Sequence, residues 1–499
     1  MKKIIPIIFV SVMVTGCLKS DKDYKRKNDS FSTELIQLKD YFHIPGLSVI
    51  IMQGDQTVYE KYMGFADMKN QMPIDSSTTI PMASLTKMFT GVLLMQLVEN
   101  KKISLDEPIN KYISNEKIPD SIKIKHVLSH TSQGDVGQNF YYSSRFGWLT
   151  AVVEKAYQMT FEKVMEEKII KPLGLKNTYL LKDSSQIYNE GRKIALPYFY
   201  EGEIKDGFID YGYSAAAGIT STIRDLAIFS KAMDNNSLMT EESKLRMFTP
   251  AKSSLQYGYG IFSQQFNGKK LIWGYGQYDC YSSLYLKVPE DDITLVIAAN
   301  NNLMSDPARL IYGDVTYSLF AISFLKNYVF DIADMPLIED ENSLTTLESR
   351  VTQNNSHFYL KKLIAQSVAE SFLAMYDSVK SERSKHILEH IFRQFPDYDN
   401  YGDLTLMHNL SFLKAIALHR EQIDFTNFDK QLKGIGLQLV TIDNDNPYAN
   451  YYLANYYLRK GNSDSTRIFY EGIINARNFS QNWYTTEAQN WVKGQINKN

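Results

Sequence analysis

Cysteine is almost missing from this chain of 499 residues: Cys17 and Cys280 are its two examples. Their contexts differ so much that they argue against a disulfide, and no Cys/His spacing suggests structural zinc. An excess of charge of either sign is also missing. The formal net charge of -2 gives no electrostatic reason to expect nucleic acid or an acidic polymer as partner. Long apolar runs are absent as well. The stretch Ile4 to Val14 is too short to cross a bilayer as a folded helix. No fixed period recurs along the chain, which excludes a long repeat array. No motif calls for a cofactor.

What is present is an ordinary globular balance, 44% hydrophobic and 22% charged, at a length that implies two domains or more. Met1-Lys2-Lys3, the apolar run and Val14-Thr15-Gly16-Cys17 together resemble a bacterial lipoprotein signal. That resemblance implies removal of residues 1–16, acylation of Cys17, and a lipid-anchored protein of the bacterial cell envelope. Residues 17–30 are charged and poor in apolar side chains, so they are expected to form a flexible tether.

Residues 31–330 mix strand and helix signals. Ile44 to Ile51, Gly54-Asp55 and Val58 to Tyr62 read as a β-hairpin. Helical patterns fill much of 86–235, and strand signals return at Tyr257 to Phe262, Tyr281 to Val288 and Ile293 to Ala299. The expected class is α+β: an antiparallel sheet formed from both ends of the domain, helices on its faces, and an inserted helical subdomain. Leu310 to Phe330 is expected to close it as a helix. Residues 335–499 lack strand signals and read as an all-α C-terminal domain, in which Pro447 to Tyr457, Gly461 and Thr466 to Ala476 look like one tetratricopeptide-type helix pair. Such a region binds a protein partner or braces its neighbour.

The chemistry starts at Ser84-Leu85-Thr86-Lys87. A serine hydroxyl needs a base to attack an acyl carbon at neutral pH. A lysine three residues on lies on the same helix face, with Cβ atoms roughly 5–6 Å apart. Met88, Phe89, Val92, Leu93, Leu94, Leu97 and Val98 leave the helix no polar stripe, so it is expected to be central and buried. Burial and the positive helix end both favour neutral lysine. The same spacing recurs at Ser114–Lys117, Ser323–Lys326 and Ser411–Lys414, so context must single out one copy.

That context is an ordered set of further segments: His126 to Ser132, Phe140 to Ser144, Lys171 to Thr178, Ala217 to Leu226 with Ser221 or Thr222 as helix cap, and Trp273 to Gln277 ahead of a strand. The set resembles the serine β-lactamase-related superfamily, in particular class C β-lactamases, D-alanyl-D-alanine carboxypeptidases and the esterases sharing their fold. The resemblance implies Ser84 as nucleophile and Lys87 as its activator. It implies Tyr142 as a proton shuttle, whose phenol would need cationic neighbours to lower it from about 10. It further implies the backbone N–H groups of Ser84 and Gln277 as the oxyanion hole, and Ser144, Trp273, Gly274, Tyr275 and Gly276 as substrate-binding positions.

Two departures stand out. Tyr142-Ser143-Ser144 replaces the family's Tyr-x-Asn, and Ser144 lacks an amide's paired contacts. Gly274-Tyr275-Gly276, with Trp273 in front, or in the other possible register Trp273-Gly274-Tyr275, replaces the family's Lys-Thr-Gly or His-Thr-Gly, and in either register no cation stands there to hold a substrate carboxylate. Esters, amides or cell-wall-peptide substrates are therefore expected, with esterase activity favoured over efficient β-lactam turnover. The competing reading is a catalytically degenerate relative that binds peptidoglycan or a partner. His386-Ile387-Leu388-Glu389-His390 matches an inverted zinc-protease pattern, but its purely helical surroundings argue for an ordinary helix. No metal is expected.

Overall fold

The computed structural model describes residues 21–113, 118–188, 191–332, 335–352, 355–395, 429–476, 479 and 483–496. Cys17 lies outside them, as do Ser114–Lys117 and Ser411–Lys414. No helix among the described residues is long and apolar enough to cross a membrane.

The strands are β1 (Gly46–Gln53), β2 (Gln56–Asp67), β3 (Met72–Pro73), β4 (Ile80–Pro81), β5 (Tyr179–Leu180) and β6 (Tyr198–Tyr200). They continue with β7 (Ile204–Asp206), β8 (Ile219–Ser221), β9 (Phe262–Phe266), β10 (Lys269–Tyr278), β11 (Tyr281–Val288) and β12 (Ile293–Ala299). The main sheet has the order β3-β2-β1-β12-β11-β10-β9, so strands from both ends of the domain meet where β1 pairs antiparallel with β12. Helices are inserted between them, as expected for the α+β class.

Strict alternation gives this sheet two buried faces. Leu47, Val49, Ile51, Leu284, Leu286, Leu295 and Ile297 point into one core, which also receives α1 (Asp21–Tyr41) and the helix Leu319–Phe324. Ile50, Ile272, Tyr285, Val296 and Ala298 point into the other, built around α2 (Thr86–Glu99). Residues Thr86 to Met95 of α2 are all buried, which is why that helix carries no polar stripe.

Several expectations need correction. The tether expected up to residue 30 is helix from Asp21 onward. Tyr24 Oη donates to Gln53 Oε1 at 3.1 Å and Asn28 Nδ2 to the Val58 carbonyl at 2.9 Å, so polar side chains fasten this charged segment to β1 and β2. The closing helix is shorter than Leu310 to Phe330: residues Leu310–Tyr312 and Val315–Tyr317 form 3₁₀ turns, and the helix starts at Leu319 behind the Ser318 cap. Trp273 to Gln277 precedes the strand β11, as expected, and itself lies inside β10, because its two glycines serve close packing and do not make a loop.

Beyond residue 335 every described element is a helix. Pro447–Arg459 and Ser463–Asn475 form an antiparallel pair, with Asn446 capping the first and Gly461 at φ +69° in the turn. The core is continuous into this region: Phe358, Leu363, Ile364, Ala449 and Leu453 share a cluster with the sheet residues Leu284 and Leu295. His390 is buried, its ring nitrogens 2.8 Å from Tyr359 Oη and 3.2 Å from Arg393 Nη2, so the His-x-x-Glu-His pattern is packing.

The N-terminal helix can be tested by Phe31→Ala. Phe31 is fully buried, edge-on to Tyr59 at 5.2 Å and to Tyr328 at 5.4 Å. Its truncation is expected to cost about 3–5 kcal/mol. An unchanged denaturant midpoint would show that α1 contributes nothing.

Candidate active site

Ser84 sits in the 3₁₀ turn Ala83–Leu85 that leads into α2. The turn is tightly held. Ala83 adopts φ +45°, a left-handed conformation uncommon for a residue with a Cβ. Met82 N donates to the Ile219 carbonyl at 2.8 Å. Thr86 Oγ1 donates to the Ala83 carbonyl at 2.7 Å and accepts from Ile219 N at 3.0 Å. Thr86 is thus a support that motif reading overlooked, because a threonine inside a helix looked like filler. Ser84 remains partly exposed while Lys87 is 4% exposed, which leaves the hydroxyl accessible above a buried amine.

Lys87 Nζ lies 2.8 Å from Ser84 Oγ and 3.0 Å from the Ala216 carbonyl, which it bonds as donor. Its remaining side faces the Tyr142 ring, 4.8 Å from the centroid. Burial alone lowers the amine from its ordinary value to about 7. A neutral amine can keep its donation to Ala216 and turn its lone pair toward the Ser84 hydroxyl.

Tyr142 lies beside this pair, with the hydroxyls of Ser84 and Tyr275 as hydrogen-bond partners. Its phenol is pushed up by burial, so the lowering by cationic neighbours that a phenolate would need is not seen. With Lys87 near neutrality no fixed positive charge stands there to favour phenolate. His130 carries the ring that stacks on Tyr142, centroids 4.3 Å apart. Its Nδ1 accepts from Ser143 N at 3.0 Å, which fixes the loop bearing Tyr142, and burial drives the imidazole well below its ordinary value. His130 is therefore a neutral brace. Its left-handed φ of +54° fits the turn role read from the sequence.

The third motif divides. Gly274 and Gly276 share the β10 face that meets α2. A Cβ on Gly276 would stand 1.9 Å from the Met82 carbonyl oxygen, and one on Gly274 would stand 3.0 Å from Met88 Sδ. The glycines let the strand touch the nucleophile's turn, and position 274 faces the helix. Tyr275 points to the other face, its ring 5.8 Å from that of Tyr142. Trp273 is fully buried and stacked on Phe262 at 3.9 Å, so it supports the strand and does not line a cleft. Gln277 is half-buried near the end of β10, paired with Ser282 of β11. Ser144 is exposed at the start of the turn Ser144–Trp148.

The other described Ser-x-x-Lys copy has a structural use. Ser323 and Lys326 both bond the Glu34 carboxylate, joining the closing helix to α1.

A profile of the Beta-lactamase family matches residues 35–314. The chain belongs to that family. Its members are generally serine hydrolases. Among curated relatives, protein flp of Staphylococcus aureus (strain N315) is 24% identical over 307 residues, 52% of this chain and 60% of that protein. A beta-lactamase of Yersinia enterocolitica is 24% identical over 268 residues, covering 46% of this chain and 66% of the relative. The chain thus spans about 60% of the length of the first of these. The octameric penicillin-binding protein homologue from Pyrococcus abyssi superposes with a TM-score of 0.53 at 22% identity, over 60% of this chain and 77% of that one. It shares the β-lactamase/transpeptidase-like fold. The family match ends ahead of the helical region.

The glycine contact yields a test. Gly276→Ala forces Met82 away from the sheet and is expected to cost about 1–3 kcal/mol, with a melting temperature a few degrees lower. A melting curve superimposable on that of the parent would mean that β10 and the Ser84 turn do not pack this closely.

Proposed function

We propose that the protein is a serine hydrolase that forms an acyl-enzyme on Ser84 and acts on uncharged esters or amides. One observation carries this reading: a lysine amine held near neutrality by burial, 2.8 Å from a partly exposed serine hydroxyl. In the first half-reaction Ser84 Oγ attacks the acyl carbon and its proton passes to Lys87 Nζ. The carbonyl oxygen gathers negative charge, for which the N–H groups of Ser84 and Gln277 are the candidate donors. The bond to the leaving oxygen or nitrogen then breaks, and the proton reaches that atom through the Tyr142 phenol. Water repeats the sequence on the acyl-enzyme, and Ser84 regains its hydrogen. A phenol raised by burial suits Tyr142 to donating and passing protons rather than acting as a standing base.

The missing cation at position 274 supports esters over penicillins, since a charge-assisted contact is worth about 1.5–3 kcal/mol. The same absence speaks against D-alanyl peptides ending in a free carboxylate. The Val14 to Cys17 pattern supports lipid anchoring in the cell envelope, where small acyl compounds and peptidoglycan fragments are both within reach.

Ser84→Ala is expected to abolish hydrolysis of a p-nitrophenyl short-chain ester and labelling by a fluorophosphonate. Lys87→Met and Tyr142→Phe should each lower kcat by about 10²-fold or more. Activity surviving in Ser84→Ala would remove this site from consideration, and efficient nitrocefin turnover would overturn the preference for esters.

The pH profile is a separate test. Lys87 works as a base only when neutral, and its value of about 7 lies below the ordinary 10.5. Below pH 7 kcat/KM should therefore fall tenfold per unit, and above it the curve should level off. His130 stays neutral across this range, so it adds no second step. A midpoint near 10 would mean that the lysine is solvated.

A further inference from the structure

The Lys87 amine has two hydrogen-bond neighbours, Ser84 Oγ at 2.8 Å and the Ala216 carbonyl at 3.0 Å, and the second of them is held in an unusual way. Ala216 belongs to a tight turn. Ser214 N donates to the Ala217 carbonyl at 2.8 Å, and Ala217 N donates to the Ser214 carbonyl at 3.3 Å. Neither Ala215 nor Ala216 lies in a helix or strand, so their N–H and C=O groups need partners from elsewhere.

Side chains meet all of these groups. Ala215 N donates to Thr150 Oγ1 at 2.8 Å, and the Ala215 carbonyl accepts from Thr90 Oγ1 at 2.8 Å. Ala216 N donates to Ser214 Oγ at 3.1 Å, and the Ala216 carbonyl accepts from Lys87. The hydroxyls come from separate places: Thr90 from α2, Thr150 from the helix Leu149–Tyr157, and Ser214 from the turn itself. Thr90 is fully buried and stands three residues after Lys87, so both side chains leave α2 on one face. Thr86, on that face too, accepts from Ile219 N just beyond the turn.

We infer that Thr90 is a positioning residue for the base: together with Thr150 and Ser214 it holds the Ala215–Ala216 peptide so that the Ala216 carbonyl takes one hydrogen of the Lys87 amine and the lone pair is left for Ser84 Oγ. The inference rests on the reading of Ser84 as nucleophile and Lys87 as its activator, and names what aims that activator. A lysine amine is a compact group of rotatable donors on a flexible stem, so its own side chain does not decide where the lone pair points. A carbonyl fixed on one side does. Misplacing a reacting group by about 1 Å can cost on the order of 10²-fold in rate. Without the Thr90 hydroxyl the Ala215 carbonyl is buried and short of that donor, which drives the peptide to turn.

The test uses the full chain and diisopropyl fluorophosphate, which carries no charge. Ser84 Oγ bonds to phosphorus, the P–F bond breaks with loss of fluoride, and the serine proton passes to Lys87 and on to solvent. Intact mass follows the modification. Its rate reports the site and its final amplitude the folded fraction, so partial loss of folded protein does not enter the rate. Rates are taken across the pH range that brackets the Lys87 midpoint. Thr90→Val keeps the shape of the side chain without its hydroxyl, and is expected to lower the high-pH plateau at least fivefold with a midpoint no higher than the parent's. Thr150→Val, on another helix, should do the same. Thr90→Ser, which keeps the hydroxyl, should fall less than fivefold. The midpoint separates aim from packing: an acceptor carbonyl favours the charged amine, so losing it does not raise the midpoint, whereas water entering a loosened core raises it toward the ordinary 10.5. A smaller fall in Thr90→Val (or in Thr150→Val, should the first variant not fold) would overturn the positioning role and leave the hydrolase reading standing. So would a midpoint above the parent's, or a serine variant that falls as far as the valine one. Failure of the reagent to modify Ser84 in the parent would overturn the hydrolase reading, and this inference with it.

Discussion

A single amine, buried and neutral beside a serine, is the constraint around which this molecule is arranged. A lysine taken out of water strongly disfavours its charged form, and nothing beside Lys87 except burial sets its value near 7. Keeping it neutral requires apolar packing around Lys87, and residues Thr86 to Met95 of α2 run buried through the second core. It also requires that the hydroxyl stay accessible while the amine does not. The turn Ala83–Leu85 meets both demands by lifting Ser84 out of the helix at a strained φ and tying its flanks to β8 through Met82 and Thr86.

The sheet takes part through contact. Gly276 lets β10 lie against the Met82 carbonyl, and Ser283 on β11 donates to that same oxygen at 3.0 Å. Nucleophile turn and sheet edge are thereby one rigid piece. The aromatic layer on the opposite face of β10, with Phe262 on Trp273 and Tyr275 toward Tyr142, stiffens the strand from behind. The loop with Tyr142 is fixed independently, by the His130 ring stacked on the phenol and hydrogen-bonded to Ser143 N. Three segments distant in the chain thus reach one spot through three different kinds of contact.

The legible parts of the sequence were those with strong local patterns. The hairpin of β1 and β2, the apolar run of α2, the Thr222 cap and the Pro447–Arg459 helix all announce themselves through periodicity or capping chemistry. Three features did not. Residues 21–30 read as tether because their few apolar side chains gave no helical stripe, yet Tyr24 and Asn28 attach them through polar bonds that composition does not encode. Trp273 was a substrate-binding position through the family resemblance alone, whereas sheet alternation turns it into the core. The state of the Tyr142 phenol was not legible either, because it depends on the Lys87 amine beside it, which burial lowers to about 7.

That last point bears on what the site recognises. Lys87 near 7, His130 well below its ordinary value, and the phenols of Tyr142, Tyr257 and Tyr275 pushed up by burial are uncharged together at pH 8. Position 274 carries no cation, and a Cβ there would stand 3.0 Å from Met88 Sδ and 3.1 Å from Leu85 Cδ2. Gly274 is thus part of the contact between strand and helix. Groups that are uncharged together offer a charged ligand little in exchange for its desolvation. Neutral acyl compounds do not incur that cost, which is the physical ground for the ester preference proposed above.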